Sequence, residues 1–532
     1  MVKYFKLSNL LYLLIFLLFL KIDFRFIEDI FCCGDDHDYL LHTKTLALDF
    51  DLDYSNQLEG IEDRRFRNKG FVAPIGFIGS GILAAPFLFV GNLIDNILLN
   101  ITSSQSNLLN YKILFYSLSP VFYFFLTYEL IIRSFDKIGI NYKSRDVFIL
   151  FSGSGLFYYA FERYSMSHIY EVFTGTLIFY LTTRYYFEQK QSNKVAFLIP
   201  VTILLGILIR WVNYYFLFIP AIFYFLFYKK IDRVKLLRTN IFFITSYIFS
   251  AILFLLHTKL IYGEFTIDPR FVYTNGTRDI NLSNNLTSPD SNLFFEFFDN
   301  LRIIFFSQEF GILYFSPIII FSFFYFIYKT LPISNTFKDG RWLIIASYFQ
   351  VFSIYFVWQS SGSSYGLRYL YSLIPLSIFV YFSIDERLHN RFIHKIALLV
   401  SLFSILSVLF FETTVSTQLS LDPLVNSWGN LSRYTERYYL TGVVDSFFRI
   451  EAYLKIFTTS FLGVFVFKTL FLIIDQNSLM NFLERLGLPV QNQDFSDYII
   501  ELNTIGYEKI LFIVLFLSYF SYLIVRNKKS VD

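Results

Sequence analysis

The run YKILFYSLSPVFYFFLTYELII at residues 111–132 decides the fold class, because it carries only two charged side chains, Lys112 and Glu129. A helix of about 20 such residues crosses the hydrocarbon core of a bilayer. We therefore predict an all-α polytopic membrane protein with about 11–13 transmembrane helices. Similar apolar runs recur at 7–27, 147–162, 169–187, 195–209, 211–228, 240–261, 311–328, 342–358, 369–383, 393–411, 453–474 and 507–525.

Composition supports the same class. Of the 532 residues, 55% are hydrophobic and only 16% are charged, and the mean hydropathy is +0.50. A soluble protein carries roughly 25% charged residues, so much of this surface must face membrane lipids. The net charge of +3 gives no reason to expect nucleic acid as a partner.

The basic residues of the short loops set the expected orientation, since Lys and Arg accumulate on the cytoplasmic side. The loop at 133–145 carries four basic side chains and is expected to lie inside. We divide the chain into a transmembrane module at 1–412, whose first outer loop spans 28–110, and a second part at 413–532. That second part contains a late outer loop and additional helices. The segments expected outside are 28–110, 163–168, 263–310, 359–368 and 412–452.

Two segments are difficult for this scheme. Residues 71–94 are apolar enough to cross, but a crossing there would place the basic loop at 133–145 outside. Because this segment contains prolines and glycines, we expect a broken helix that lies in or re-enters the outer interface. Thirteen complete spans would also place the basic tail that begins at Arg526 outside. The sequence therefore leaves the C-terminal topology open.

The first outer loop opens with a cluster of carboxylates, Gly34-Asp35-Asp36-His37-Asp38. Three acidic side chains directly after a span are too costly to face lipid, so they must lie in water or in a polar cavity. From Asp36 onward the apolar spacing predicts an amphipathic helix on the interface, with the acids near its positive N-terminus. The cluster is either a helix cap with an acidic first turn or a site where a carboxylate acts as a general base.

A span, a short connector, Gly-Asp-acidic-x-x-Tyr and an amphipathic helix together resemble the start of the glycosyltransferase C superfamily. The similarity is to its bacterial protein O-mannosyltransferase and aminoarabinose transferase members of the family 39 type. Their motif is commonly Asp-Glu, with the Asp as base. The resemblance implies that Asp35 is the base, that Asp36 replaces the Glu and that Asp38 lies on the substrate side.

The second outer loop, ERYSMSH at 162–168, is similar to a family pattern of the form Arg-x-x-Met-x-Asp. Arg163 matches the Arg of this pattern and Met166 matches its Met. The Asp position of the pattern falls on Ser167 or on His168. The resemblance leaves three candidates for the acceptor-side or metal-side role, namely His168, Glu162 and Glu171. The alternative for His168 is an ordinary histidine satisfied at a helix end.

Two further arginines are expected at the outer ends of spans. Arg210 opens the stretch Arg-Trp-Val-Asn, and Arg368 follows a Ser/Gly-rich turn. Both stretches resemble family patterns that precede a span. Since guanidinium groups bind phosphate oxygens bidentately, the resemblance implies that both arginines hold the phosphate of a donor. The alternative for Arg368 is a side chain that snorkels to the interface.

The resemblance implies a glycosyltransferase that moves a hexose or pentose from a polyprenyl-phosphate sugar donor to a lipid, glycan or protein acceptor. The reaction would take place on the extracytoplasmic face of a bacterial inner membrane. A transporter or flippase of lipid-linked sugars, or a polysaccharide polymerase, is the alternative, and charges at the bilayer midplane with internal symmetry would favour transport. Asp35 and Asp36 would be catalytic, and the substrate-binding residues would be Asp38, Glu162, Arg163, His168, Arg210 and Arg368.

A monophosphate donor requires no cofactor. A divalent cation could nevertheless bind if Asp35, Asp36, Asp38 and His168 came together, because carboxylate and imidazole groups are metal ligands. We therefore assign no metal ligands from the sequence.

Overall fold

The fold is described from a computed structural model of the chain, and the description is limited to part of its length. The described residues are 7–21, 34–58, 66–102, 111–188, 192–227, 231, 240–273, 301–307, 311–330, 341–354, 365–384, 391–415, 443–444, 446–448, 450–485 and 505–526.

Helices account for nearly all regular structure in these ranges. Two π-helices (Thr45–Asp49 and Tyr158–Glu162) and two 3-10 helices (Trp211–Phe218 and Arg368–Leu373) accompany the α-helices. The α-helices of the first half are α1 Leu7–Phe19, α2 Gly34–Lys44, α3 Ser55–Leu58, α4 Gly79–Thr102, α5 Tyr111–Ile138, α6 Ser144–Ser152, α7 His168–Phe187, α8 Asn193–Ile209 and α9 Ile219–Phe227.

The second half continues the all-α architecture. Within the described ranges, one antiparallel pair of short strands interrupts this architecture, in the first half of the chain, where β1 (Phe66–Asn68) pairs with β2 (Phe71–Ala73). The remaining α-helices are α10 Asn240–Tyr262, α11 Pro269–Tyr273, α12 Ile312–Phe315, α13 Pro317–Thr330, α14 Trp342–Phe352, α15 Ile374–Ser383, α16 Phe392–Val415, α17 Ile450–Thr459, α18 Phe461–Phe471, α19 Gln476–Arg485 and α20 Tyr507–Arg526.

Five helices within the described residues are long and apolar enough to cross a membrane, which agrees with the predicted all-α membrane protein. Six shorter apolar helices of 10–17 residues accompany them. The predicted count of about 11–13 spans stays a prediction. The five long helices are Gly79–Asn100, Tyr111–Ile138, Ile241–Tyr262, Phe392–Phe410 and Tyr507–Arg526.

Aromatic side chains fill the core between α1, α5 and the second π-helix. The ring of Phe16 lies 4.9 Å from that of Phe125 in an edge-to-face contact and stacks on Phe161 at 5.8 Å. Phe157 stacks on Phe161 at 4.8 Å. Aromatic pairs in these geometries contribute about 0.5–1.5 kcal/mol beyond the area that they bury. The abundant Phe of this sequence therefore serves helix packing as well as the lipid-facing surface.

Helix α4 corrects one expectation from the sequence. Of the segment 71–94 that was predicted to be broken, residues 71–73 form β2, and residues 79–94 belong to the continuous 24-residue helix Gly79–Thr102, with Pro86 inside it. In apolar surroundings every unpaired backbone group is costly, so a continuous ladder of hydrogen bonds is favoured over a break. The carbonyl of Leu83 accepts from Tyr123 Oη at 3.0 Å. Asp95 caps α5, since its carboxylate accepts from the backbone N–H of Tyr111 and of Lys112.

Helix α20 runs parallel to α5, which bears on the C-terminal topology. Tyr111 Oη donates to Glu508 at 3.4 Å where both helices begin, and Arg526 lies 3.6 Å from Glu129 near where both end. The chain therefore reaches Arg526 at the same end as the basic loop that follows α5. Two ring pairs between these ends keep the same order, Phe115 on Phe512 and Phe125 on Phe520.

Helix α1 begins at that same end of the molecule. Tyr12 packs edge-to-face on Phe148 near the start of α6, whereas the backbone N–H of Lys21 donates to Phe161 at the opposite end. The first and last described helices thus have their outermost ends on one side.

Labelling of single cysteines tests this topology in a variant whose Cys32 and Cys33 are Ser. A cysteine at Ser530 and one at Asn141, in the loop after α5, should react from the same side of the membrane. A cysteine at Asn56 in the first outer loop should react from the other side. A membrane-impermeant maleimide added to sealed cells and to inverted vesicles measures this. Labelling of position 530 together with position 56 would contradict the parallel packing.

The first outer loop is anchored by a buried histidine on α2. His42 lies with Nδ1 2.7 Å from Tyr54 Oη and Nε2 3.2 Å from the carbonyl of Gly76. Burial lowers the pKa of His42 to about 4, although the hydrogen bond to Gly76 opposes this shift. A Cβ at Gly81 would lie 2.7 Å from that of His42, so α2 and α4 approach closely here. His42 is therefore a neutral structural residue at neutral pH.

The lowered pKa predicts a loss of stability in acid. The unfolded chain takes up a proton near pH 6.5, whereas His42 in the folded protein resists it until about pH 4. This contribution to stability is complete above pH 6.5 and falls as the pH drops towards 4, by about 3 kcal/mol in all. Thermal unfolding of the detergent-solubilised protein across this range measures it. His42→Gln should flatten the decline, whereas His37→Gln should retain it, and an unaltered decline in His42→Gln would contradict the assignment.

Candidate functional site

Helix α2 carries the two predicted catalytic aspartates in its first turn, and they face different surroundings. Asp36 points into the protein, where its Oδ2 accepts from Nε and Nη2 of Arg163 at 3.3 and 3.2 Å. Both side chains of that pair are at most 3% exposed. The side chain of Asp35 is 52% exposed and its Oδ2 lies 3.2 Å from Nη2 of Arg368. The structure thus places each aspartate against a different predicted arginine.

Arg163 reaches Asp36 because the backbone before it is irregular. The run 147–162, predicted as one span, is helix α6 followed by a turn and then the π-helix Tyr158–Glu162. The turn contains Gly155 with φ +81°, and a Cβ there would collide with Oη of Tyr371. π-Helical turns are frequent at functional sites, and this one ends immediately before Arg163.

Arg210 and Arg368 occupy equivalent positions in two different parts of the fold. Arg210 immediately precedes the 3-10 helix Trp211–Phe218, which continues into α9. Arg368 is the first residue of the 3-10 helix Arg368–Leu373, which continues into α15. The ring of Tyr369 lies beneath both guanidinium groups, 4.5 Å from Cζ of Arg210 and 5.4 Å from Cζ of Arg368. These cation–π contacts hold the two arginines on one wall of the site.

His168, the first residue of α7, joins this cluster together with Glu171. Nδ1 of His168 lies 2.9 Å from Oε1 of Glu171 and 3.0 Å from Nη1 of Arg210. Glu171 is fully buried and its Oε1 lies 3.7 Å from Nη1 of Arg210. Glu171, one of the two glutamates considered from the sequence, therefore contacts both His168 and a predicted arginine.

Two other predicted substrate-binding residues have different neighbours. Asp38, a residue of α2, is buried and lies close enough to Tyr262 on α10 to interact with it electrostatically. Glu162 is buried at the end of the π-helix and interacts in the same way with Tyr365. Their substrate-binding roles stay predictions. Gln308 and Glu309, at the start of a predicted span and candidates from the sequence for reaching the site from the outer side, lie outside the described residues.

Tyrosine side chains line the site, and apart from Tyr39, the tyrosine of the Gly-Asp-acidic-x-x-Tyr motif, the sequence did not single them out. Tyr39 accepts a hydrogen bond from Ser167 Oγ at 3.2 Å, and burial raises its pKa to about 12. The rings of Tyr159 and Tyr371 lie 4.4 and 5.6 Å from that of His168. Because forty tyrosines are spread along the chain, residue type alone could not identify these three. They provide flat, partly polar walls of the kind that pack against ligands.

The electrostatics of the buried pair favour a structural role for Asp36. Burial raises the pKa of the Asp36 carboxyl more than the Arg163 guanidinium lowers it, so the charge of this aspartate is costly to maintain. Asp36 also holds Arg163 through two hydrogen bonds to one oxygen. Asp35, by contrast, is open to solvent and to a reactant.

The aspartates do not combine with His168 into a metal site. Within the part of the chain that the structure describes, no group of three or more His, Cys, Asp or Glu side chains could hold a metal ion. Asp35, Asp36 and Glu171 instead each face a different arginine. The arrangement is therefore suited to binding an anion and accepting a proton.

No protein-family model matches this chain, and neither does any curated protein or solved structure. The resemblance to the glycosyltransferase C superfamily therefore carries over only as a proposal. What the site can do rests on its own geometry.

The Asp36–Arg163 pair gives a prediction for stability. Arg163→Gln leaves a buried carboxylate without this counter-ion and should lower the free energy of unfolding by about 3–5 kcal/mol. Adding Asp36→Asn removes the second charge and should restore most of that loss. Arg133→Gln, which breaks a more exposed pair with Glu129, serves as the control and should cost at most about 1 kcal/mol. Denaturant unfolding in detergent measures all four proteins, and a double variant no more stable than Arg163→Gln would refute the coupling.

Proposed function

We propose that this protein is a membrane glycosyltransferase that uses a lipid-phosphate-linked sugar, a hexose or a pentose, as its donor. The observation that carries the proposal is the 3.2 Å approach of the Asp35 carboxylate to the Arg368 guanidinium. A proton acceptor and a phosphate-binding group, 333 positions apart in sequence (368 minus 35), thereby meet within the dimensions of one sugar phosphate. Sugar transfer from such a donor needs both groups.

The proposed reaction is a single displacement. The acceptor oxygen forms a bond to the anomeric carbon while the bond from that carbon to the phosphate oxygen breaks. The electron pair of the broken bond leaves on the phosphate, whose charge Arg368 and Arg210 stabilise. The acceptor proton passes to Asp35, which acts as the general base. Atoms and charge balance without a metal or a redox partner.

The remaining residues of the site support this chemistry. Glu171 and His168 hold the guanidinium of Arg210 on the wall that it shares with Arg368, and Asp36 holds Arg163. Preorganised charges of this kind need no rearrangement when charge develops in the transition state. A polyprenyl-phosphate donor dissolved in the membrane would enter from the side. The acceptor would be a lipid, glycan or protein at the extracytoplasmic face of a bacterial inner membrane.

Transfer assays with Asp35→Asn test the proposal. Proteoliposomes receive a panel of radiolabelled polyprenyl-phosphate hexoses and pentoses with membrane acceptors. The substitution keeps the size of the side chain but removes its basicity, so we expect transfer to fall by about 10²–10⁴-fold. Asp53→Asn, which changes an exposed aspartate of the same loop, is the matched control and should leave the rate unchanged. Equal transfer by Asp35→Asn and Asp53→Asn would remove Asp35 from its role.

Acceptor-free vesicles separate transfer from transport. A transporter or flippase would move the labelled lipid to the other leaflet without consuming it. A glycosyltransferase would leave its distribution unchanged and would release free polyprenyl phosphate only when acceptor is added. Translocation without transfer would overturn the proposal.

A further inference from the structure

Arg368 is an arginine whose hydrogen bonding is incomplete. Its side chain is 15% exposed, and Nη2 lies 3.2 Å from the Asp35 carboxylate. The neighbouring Nε–H is buried, and no acceptor for it is present within the described residues. A buried donor without a partner is unfavourable, and groups of this kind in a native structure call for an explanation. The edge formed by Nε and Nη2 can therefore donate to one more acceptor.

Asp35 is the partner that can leave. Its side chain is 52% exposed, whereas the carboxylates that face the other two arginines, Asp36 and Glu171, are at most 2% exposed. A rotation about its side-chain bonds would carry the Asp35 carboxylate into solvent without disturbing α2. The Arg368 guanidinium is fixed by the 3-10 helix and by the ring of Tyr369.

The phosphate of a lipid-phosphate-linked sugar fits this edge better than Asp35 does. The guanidinium fork presents parallel N–H groups that match two oxygens of one phosphate, and such bidentate pairs are strong. A phosphate oxygen on Nε would satisfy the donor that now lacks an acceptor.

We propose that Asp35 occupies the place of the donor phosphate on Arg368 in the resting protein, and that the phosphate of the lipid-linked sugar displaces it. This inference rests on the proposed function and adds an order of events to it. Displacement frees the carboxylate to take the acceptor proton, so the base becomes available only after the donor has bound. The bonds made and broken in the transfer step are those given above.

Binding of polyprenyl phosphate to the full-length protein in nanodiscs tests this inference. Asp35→Asn removes the competing carboxylate, so it should bind polyprenyl phosphate about tenfold more tightly than the wild type. Asp35→Glu retains the charge and should bind like the wild type, and Arg368→Gln should bind at least tenfold more weakly. Asp53→Asn is again the control. Uncharged polyprenol should bind all five proteins equally, and inorganic phosphate should bind at least a hundredfold more weakly than the lipid.

The outcomes are distinguishable from those of the transfer assay. Equal or weaker binding of polyprenyl phosphate by Asp35→Asn, with Asp53→Asn unchanged, would overturn the displacement even if sugar transfer requires Asp35. Tighter binding in Asp35→Asn without sugar transfer by the wild type would sustain the displacement and refute the glycosyltransferase. Inorganic phosphate binding as tightly as the lipid would overturn the assignment to a lipid donor. If Asp35→Asn does not fold, Asp35→Ser in the same assay decides.

Discussion

Burial of guanidinium groups among apolar helices is the constraint on which the arrangement of this protein depends. A charge in low-dielectric surroundings must have its counter-ion within a few ångströms, because removal of either partner leaves an uncompensated charge. Each of three arginines forms an ion pair with a carboxylate. In every case the two residues belong to different secondary-structure elements. The ion pairs therefore determine how these elements fit together. The pairs are Arg163–Asp36, Arg210–Glu171 and Arg368–Asp35.

The backbone departs from a regular helix at the same three arginines. A π-helix ends before Arg163, and 3-10 helices begin after Arg210 and at Arg368. At membrane depth such departures are tolerated only where protein or a polar cavity satisfies the backbone. Tyr215 Oη donates to the carbonyl of Ser372 and so joins the two 3-10 helices directly. The regular helices supply a rigid frame, and its irregular segments turn the charged side chains towards one place.

Hydropathy was sufficient to predict four of the five long helices and the membrane class, since burial in lipid demands long unbroken apolar runs; the fifth, α4, was expected to be broken. It could not predict that 147–162 is interrupted, because the φ of Gly155 depends on contact with a helix more than 200 residues later. Charge and motif reasoning identified Asp35 and Arg368 separately, and the structure brings them together. The pairing of Glu171 with Arg210 depends on the crossing of α7 and α8, which no local pattern contains.

Two adjacent aspartates on one helix illustrate how the environment divides roles between identical side chains. Successive residues of a helix point about 100° apart, so one can face the core while the next faces the opening of the site. Two hydrogen bonds from Arg163 hold Asp36 in place, and any movement of Asp36 would leave a buried charge without its counter-ion. Among the described residues Asp35 has one ionic contact, and its side chain is exposed, so it can exchange partners at little cost. If the proposed transfer takes place here, the movable carboxylate is the base and the fixed one positions Arg163.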